Sequence, residues 1–245
     1  VGLGAFQEIK GKPEAALITG IAMTGGLYSN KSPLNLLAST PIAKVLREYD
    51  AIVVPANSKY RTLKQLMDDL VAKPNSVAIA GGSKGGIDHQ VIGLLAQKAS
   101  IDPTKLNYVV FSGGPEVITS VLSGSTQVGI SGSSEFSAFV ASGKLRVLGV
   151  SSAKPLVGFK GKTFVSQGYD LVYGNWRGVM APADLPKADY TNFIKVMDIM
   201  HVSPSWQAQL KKNNWDNEFA AGTAFKTFLE KHIPEINAVM KGLGI

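Results

Sequence analysis

The chain has 245 residues, of which 45% are hydrophobic and 18% charged, as is ordinary for a globular protein with one large domain or two lobes. It contains no cysteine, which excludes disulfides, thiolate metal sites and thiol catalysis. The formal net charge is +7, but the basic residues are scattered and no apolar run is long enough for a transmembrane helix, so neither a nucleic-acid partner nor a membrane span is predicted.

The first third of the chain contains two short apolar runs and one amphipathic segment. Residues 15–22 and 51–55 are apolar and end near glycine or proline, which predicts two buried strands. Residues 62–72 carry apolar side chains at helical spacing, and Thr62 stands where an N-cap is expected. The sequence therefore predicts strand, strand and helix in this order.

The central part repeats a strand–loop–helix pattern three times. The predicted strands are residues 76–80, 106–111 and 127–130, the loops 81–86, 112–114 and 131–133, and the helices 87–99, 115–122 and 134–141. A fourth strand is predicted at residues 145–150. Consecutive units of this kind are typical of a parallel α/β sheet.

Beyond residue 152 the pattern becomes mostly helical. Short strands are predicted at residues 171–173 and 178–180, and helices at 187–200 and 204–213. One or two further helices are predicted between residues 222 and 242, with Pro234 kinking or splitting the last one. We expect this region to pack against the N-terminal strands.

The three glycine- and serine-rich loops predict an anion site. The loops that leave parallel strands share one edge of the sheet, and here each leads directly into a helix N-terminus. Such an end offers about four unpaired N–H groups and roughly half a positive charge. Glycine allows close approach of the backbone, and Lys84 adds a formal charge. Phosphate, nucleotide and carboxylate ligands all fit this description.

Enzymatic alternatives use the same loops. Residues 81–86 lack the Gly-Lys-Ser/Thr triplet of a nucleotide-binding P-loop. Ser131 or Ser133 would be the nucleophile of a serine hydrolase, with Asp198 and His201 or His232 completing it, but a nucleophile elbow needs glycine where Ser133 stands. A hydrolase and a ligand-sensing interaction module remain the alternatives to a binding protein.

Several ordered motifs resemble one family of receptors. They are residues 82–89 (GSKGGIDH), 108–114 (YVVFSGG), Ser131-Gly132 with Glu135, 143–148 (GKLRVL), 150–152 (VSS), 168–170 (GYD) and 175–178 (NWRG). In this order and spacing, the chain from about residue 2 to 229 resembles the tripartite tricarboxylate transporter receptors, also called Bug proteins. These are periplasmic solute-binding proteins.

The resemblance implies an α/β fold of the type II periplasmic binding protein class, with two α/β lobes and a ligand cleft between them. Lobe 1 would comprise residues 1–54 and 176–245, without its first strand and helix, and lobe 2 residues 55–175. It further implies a monomeric, periplasmic, non-catalytic receptor that binds a small carboxylate and delivers it to a membrane permease. A departure from the family is that residues 161–166 lack its usual proline-threonine.

The ligand-binding residues follow from the loops and from the resemblance, which places Thr24 and Asn175 on the wall facing the lobe-2 loops. The predicted set is Thr24, Gly82, Ser83, Lys84, Gly85, Gly86, Asp88, Ser112, Gly113, Gly114, Ser131, Ser133 and Asn175. No catalytic residue, metal or cofactor is predicted.

Overall fold

A computed structural model describes residues 2–245, which form two compact units. Unit one comprises the residues up to Arg47 together with Trp176–Ala238, and unit two comprises Glu48–Asn175 together with Val239–Ile245. The predicted lobe boundaries stay a prediction. The first boundary between the compact units falls between Arg47 and Glu48, within one long strand, and the last seven residues belong to unit two. None of the helices within residues 2–245 is long and apolar enough to cross a bilayer.

Eight strands and nine α-helices are present in the described part of the chain. The strands are β1 (Leu17–Gly20), β2 (Thr40–Pro55), β3 (Ala78–Gly81), β4 (Asn107–Val110), β5 (Val128–Gly132), β6 (Leu145–Val150), β7 (Gly174–Ala181) and β8 (Ala220–Ala221). The helices are α1 (Gly2–Gln7), α2 (Ile21–Ser29), α3 (Leu63–Ala72), α4 (Ile87–Lys98), α5 (Gly114–Leu122), α6 (Ser133–Ala141), α7 (Lys187–Val202), α8 (Pro204–Asn213) and α9 (Thr223–Gly242).

Unit two is built on a mixed sheet, in which only β5, β3 and β4 form the parallel ladder that the sequence predicted. Strand β3 pairs in parallel with β4 on one side and β5 on the other, which confirms the three strand–helix units. The second half of β2 pairs antiparallel with both β5 and β6. Helices α5 and α6 bury Val117, Val121 and Phe136 against Val53 of β2 and complete an apolar core.

Unit one combines the two ends of the chain. Strand β1 pairs antiparallel with β7, and β8 pairs antiparallel with the first half of β2. Ile42 and Leu46 of β2, with Val179 of β7, form a core that Leu210 of α8 completes. Trp176 is fully buried, with its ring edge-on to Phe225 of α9 at 5.9 Å between centroids. The C-terminal helices therefore pack on N-terminal strands, as expected.

Several predicted elements match the structure closely. Strand β6 and helix α8 have the predicted bounds. Helix α3 begins with a capping box: the Thr62 hydroxyl accepts the Gln65 N–H at 3.3 Å, and the Gln65 side chain accepts the Thr62 N–H at 3.2 Å. Pro234 lies inside α9, which runs as one helix.

Three predicted elements are wrong in detail. Of residues 15–22 only β1 is a strand, because its ladder with β7 ends at Gly20 and α2 follows at once. Residues 131–133 are not a loop, since Ser131 and Gly132 extend the ladder with β2 and α6 begins at Ser133. Residues 171–173 form no strand, whereas 174–177 belong to β7.

Candidate functional site

Most of the predicted ligand residues lie along one edge of the unit-two sheet. The carboxyl ends of β3, β4 and β5 lie side by side because these strands are parallel neighbours. The Phe111 N–H donates to the Gly81 carbonyl at 2.8 Å, which holds the ends of β3 and β4 together. The Glu135 carboxylate connects the starts of α5 and α6. It accepts the hydroxyl of Ser131, just before α6, at 3.0 Å, and it lies directly against Gly114, the first residue of α5.

The 82–86 loop is held from one side by the first turn of α4. The Gly82 N–H donates to Asp88 Oδ2 at 2.7 Å, and the Gly85 N–H donates to His89 Nδ1 at 3.2 Å. The Gln90 amide donates to the Gly85 carbonyl at 2.8 Å. Three consecutive side chains thus fix the backbone of the loop that precedes their own helix.

A tyrosine from β4 closes the other side of the loop. The Tyr108 hydroxyl donates to the Gly82 carbonyl at 2.8 Å, and the Tyr108 ring stacks on His89 with 4.2 Å between centroids. Burial raises the pKa of Tyr108 above its ordinary value. Burial also lowers the pKa of His89 to about 4, and the charge of Lys84 adds to that effect. His89 is therefore neutral at pH 7, as its acceptor role toward Gly85 requires.

Acidic residues occupy the first turn of each helix at this edge. They are Asp88 on α4, Glu116 on α5 and Glu135 on α6. The Glu116 carboxylate accepts the Ser112 N–H at 2.9 Å. Negative charge is favourable at a helix N-terminus. Here the Asp88 and Glu116 carboxylates also accept hydrogen bonds from backbone N–H groups that were predicted to bind a ligand. The recurrence of an acidic residue soon after each loop was the sequence signal for this arrangement.

The backbone donors left for a ligand lie at the loop tips. Among residues 2–245, no hydrogen bond uses the backbone N–H of Ser83, Lys84 or Gly113. Ser83 and Lys84 are exposed, and Gly85 adopts a φ of 77°, a left-handed conformation that favours glycine. These tips, with the Lys84 ammonium, are the part of the edge that can receive a negatively charged oxygen pair.

The remaining predicted residues are placed differently. Asn175 is 2% exposed, and its amide donates to Glu48 Oε1 at 2.8 Å, while the other Glu48 oxygen approaches Gly132 at the start of α6. Ser133 is buried in the first turn of α6. Thr24 belongs to unit one, where its buried hydroxyl donates at 3.4 Å to the carbonyl of Gly20, the N-cap residue of α2.

Two buried carboxyl groups lie beneath the 82–86 loop. Asp50 of β2 is 1% exposed and Asp88 is 7% exposed. Burial raises the pKa of Asp88 to about 6, against the opposing effect of the Gly82 N–H, and the charge of Glu135 adds to the rise. Sequence reasoning missed Gln90 and Tyr173, because they lie 83 residues apart along the chain; the Tyr173 hydroxyl donates to the Gln90 amide oxygen at 2.6 Å.

The serine and histidine residues considered for a hydrolase have other partners. Ser131 donates to Glu135, His201 stacks on Phe219 with 4.1 Å between centroids, and His232 contacts Glu235 at 2.8 Å. No hydrogen bond within residues 2–245 joins a serine to a histidine. The same residues contain no group of three histidine or acidic side chains arranged to hold a metal ion.

The family of the chain follows from a comparison with known families. The model of the tripartite tricarboxylate transporter family receptor (TctC) matches residues 27–245, which is well over half of the sequence. The chain belongs to this receptor family. Members are transport-associated, periplasmic solute-binding proteins. No curated protein sequence matches the chain.

Solved structures of similar fold agree with this membership. The periplasmic binding protein BugD is 18% identical with a TM-score of 0.87, over 100% of this chain and 83% of BugD. R. palustris Rpa4515 with adipate is 15% identical with a TM-score of 0.87, over 100% and 82%. MatC (Rpa3494) from Rhodopseudomonas palustris with bound malate is 12% identical with a TM-score of 0.81, over 97% and 83%. At such identities the likeness shows the fold, which is that of periplasmic binding proteins.

Proposed function

We propose that this TctC-family receptor binds a small carboxylate at the 82–86 and 112–114 loops of unit two and delivers it to a membrane permease. The observation that carries the proposal is the set of unoccupied backbone donors at Ser83, Lys84 and Gly113, located in the loops that lead into α4 and α5. Helix starts with free N–H groups bind anionic oxygens without a buried arginine.

The loop residues have different roles in this proposal, and their contacts indicate which role each one has. Ser83 and Lys84 bind the carboxylate through backbone N–H groups, and the Ser83 hydroxyl and Lys84 ammonium add further donors. Gly85 and Gly86 keep the tip tight, since the Gly86 N–H donates to the Ser83 carbonyl at 2.8 Å. Gly113 leaves open space for a ligand on the second loop, because a Cβ atom there would meet nothing within 4 Å.

The ligand class is inferred from both chemistry and relatives. Rpa4515 is seen with adipate and MatC with malate, which are small dicarboxylates. Backbone donors are suited to a carboxylate, and the acidic groups in the first turns of α4, α5 and α6 disfavour a larger polyanion. Family membership supports a periplasmic receptor. A binding role without catalysis is supported by the Ser131 hydroxyl, which donates to the Glu135 carboxylate rather than to a histidine.

The test is calorimetric titration of the chain with a panel of mono-, di- and tricarboxylates, adipate and malate included. At least one acid is expected to bind and to raise the melting temperature. Gly85→Val is expected to abolish binding because valine does not tolerate a φ of 77°. The matched control is Gly158→Val, a glycine with φ 71° in an exposed segment with no atom near its Cβ position, which should bind normally.

Each outcome of this titration is informative. Ser83→Pro removes one backbone donor, so it should weaken binding strongly, whereas Lys84→Gln should weaken it only modestly if backbone donors dominate. A panel in which no acid gives heat or a melting shift would contradict the proposal. Equal binding by wild type and Gly85→Val would move the site away from this loop.

A further inference from the structure

The part of unit two that follows the start of α6 carries charge of one sign. Between Glu135 and Asp170 the sequence has no acidic residue and five basic ones, namely Lys144, Arg146, Lys154, Lys160 and Lys162. Arg146 is used inside the protein, since its guanidinium donates to the Tyr60 carbonyl at 3.0 Å. The four lysines are exposed, and no ion pair within residues 2–245 includes them. This region therefore presents positive charge to solvent.

Two of these lysines share a cavity with an arginine. Arg61, Lys160 and Lys162 line a cavity of about 530 Å³, together with the apolar side chains of Val147 and Leu148 on β6. Arg61 also has no ion pair among the described residues. Sites for small molecules usually have volumes of about 300–1,000 Å³. The cavity is therefore large enough for a phosphate-bearing headgroup and has three cations to attract it.

Backbone contacts fix the positions from which the cations extend. The Val150 N–H of β6 donates to the Lys162 carbonyl at 3.0 Å, which attaches this part of the chain to the sheet. Arg61 lies just before α3, where its N–H donates to the Gln65 side chain at 2.6 Å. The cationic side chains are exposed and long, but their backbones are held. Positive charge therefore stays at the cavity in every rotamer.

An apolar turn adjoins the cavity. The Phe159 N–H donates to the Leu156 carbonyl at 3.2 Å, and Gly158 between them has a φ of 71°, so Val157 lies at the tip of the turn. Leu156 and Phe159 both pack on the apolar core of unit two. Val157 is 82% exposed, more than any other large hydrophobic side chain among residues 2–245. The core contacts of its neighbours thus keep this valine at the surface.

We propose that Arg61, Lys160, Lys162 and the 156–159 turn form a docking face for a bilayer that contains anionic phospholipids. Lipid phosphates bind between the three cations, and Val157 inserts among the headgroups. Cations near an anionic bilayer surface and a small buried apolar area both strengthen such binding. The turn favours a bilayer over a soluble phosphate compound, because an exposed valine adds nothing to the binding of a soluble anion. This goes beyond the proposed function, since docking requires no carboxylate.

Cosedimentation of the ligand-free chain with vesicles tests the charged part of the docking face. Vesicles of phosphatidylcholine and phosphatidylglycerol in equal amounts should bind the wild type at about 0.01 M ionic strength and more weakly at about 0.15 M. Vesicles of phosphatidylcholine alone should bind it poorly. Lys160→Gln combined with Lys162→Gln should weaken binding to the anionic vesicles about twentyfold, from roughly fivefold per lysine.

The matched control removes the same charge elsewhere. Lys211 and Lys212 are exposed at the end of α8 in unit one, and neither is in an ion pair within residues 2–245. Lys211→Gln combined with Lys212→Gln should bind the anionic vesicles nearly as the wild type does. An equal loss in both double variants would assign vesicle binding to the net charge and overturn the docking face.

A second pair of variants tests the apolar part. Val157→Ser should weaken binding to the anionic vesicles about three- to tenfold, because less apolar surface leaves water. Val196→Ser is the control, since Val196 is 56% exposed on α7 of unit one and should leave binding unchanged. Binding of inorganic phosphate at the cavity, with no effect of Val157→Ser on vesicle binding, would assign the cavity to a soluble phosphate and overturn the proposal.

The docking face and the carboxylate site can fail separately. A wild type that does not bind the anionic vesicles overturns the docking face, whatever the carboxylate titration shows. The Lys160→Gln and Lys162→Gln double variant should bind carboxylates as the wild type does at about 0.15 M ionic strength, where distant charges are screened. A chain that binds no carboxylate but binds vesicles through these residues would contradict the proposed function and leave the docking face supported.

Discussion

Gly81 lies beneath the Tyr108 ring at the end of β3, where no other residue fits. A Cβ atom there would come 2.7 Å from Tyr108 Cζ and nearer still to the hydroxyl. The ring cannot withdraw freely, because it stacks on His89 and its hydroxyl holds Gly82. Because Gly81 has no side chain, it leaves room for the Tyr108 ring of the neighbouring strand β4.

Gly81→Ala is accordingly expected to destabilise the protein by about 1–3 kcal/mol, the usual cost of overpacking a filled site. Denaturant unfolding of wild type and variant measures this difference. Gly26→Ala is the control, since it adds a methyl group inside α2 with nothing within 4 Å and should be neutral or slightly stabilising. Equal stability of Gly81→Ala and the wild type would show that Tyr108 is free to move.

At the scale of elements, the first turn of α4 holds the 82–86 loop, which is the proposed ligand loop. Gln90 is fully buried and joins the Gly85 carbonyl to the Tyr173 hydroxyl. Gln90→Leu removes the donor to a buried carbonyl and is expected to cost about 1–3 kcal/mol. It should also weaken carboxylate binding, because Gly85 belongs to the loop.

The matched control lies on the same helix. Gln97 is exposed, and its amide donates to the Gly242 carbonyl at 2.8 Å, so Gln97→Leu should cost little and leave binding intact. Chemical denaturation and calorimetry on both variants give the two quantities. Similar losses of binding from Gln90→Leu and Gln97→Leu would mean that α4 as a whole, and not its first turn, supports the loop.

Elements with local signals were predicted well, and those that depend on distant partners were not. Helix α3 was predicted with its cap at Thr62, because that cap is a local pattern. Only residues 51–55 of β2 were predicted, because its earlier part carries Lys44 and Arg47, which obscure the apolar pattern. Both contact Glu218 at 3.0 Å, far along the chain.

The candidate site divides in the same way. The 82–86 and 112–114 loops, which are proposed to bind the anion, were predicted from their glycines and serines and from the helices that follow them. The Tyr173–Gln90 bond was not, because side chains that lie 83 residues apart and meet only in the folded chain leave no periodic trace in the sequence. The sequence thus predicts which backbone N–H groups lie at helix starts. Whether side chains of the protein already accept hydrogen bonds from them depends on the tertiary structure.

At the scale of the whole molecule, the net charge of +7 bears on how an anion reaches the site. A positive field attracts an anionic ligand, but salt screens it with a Debye length of about 8 Å at 0.15 M and about 30 Å at 0.01 M. Basic residues far from the loop therefore matter only at low salt. Acidic groups in the first turns of α4, α5 and α6 oppose the attraction locally.

Lys84 and Lys98 allow this dependence on distance to be tested. Lys84 lies in the loop, and Lys98 is exposed at the last turn of α4, about 17 Å along the helix from its start at 1.5 Å per residue. Lys98→Gln should weaken binding of a dicarboxylate at about 0.01 M ionic strength and leave it unchanged at about 0.15 M. Lys84→Gln should weaken dicarboxylate binding at both ionic strengths, because the ammonium is within a Debye length of the ligand in either buffer.

Calorimetry of the wild type and both variants at the two salt concentrations makes the comparison. A Lys98→Gln effect that persists at the higher salt would place the bound anion nearer the far end of α4 than its N-terminal loop.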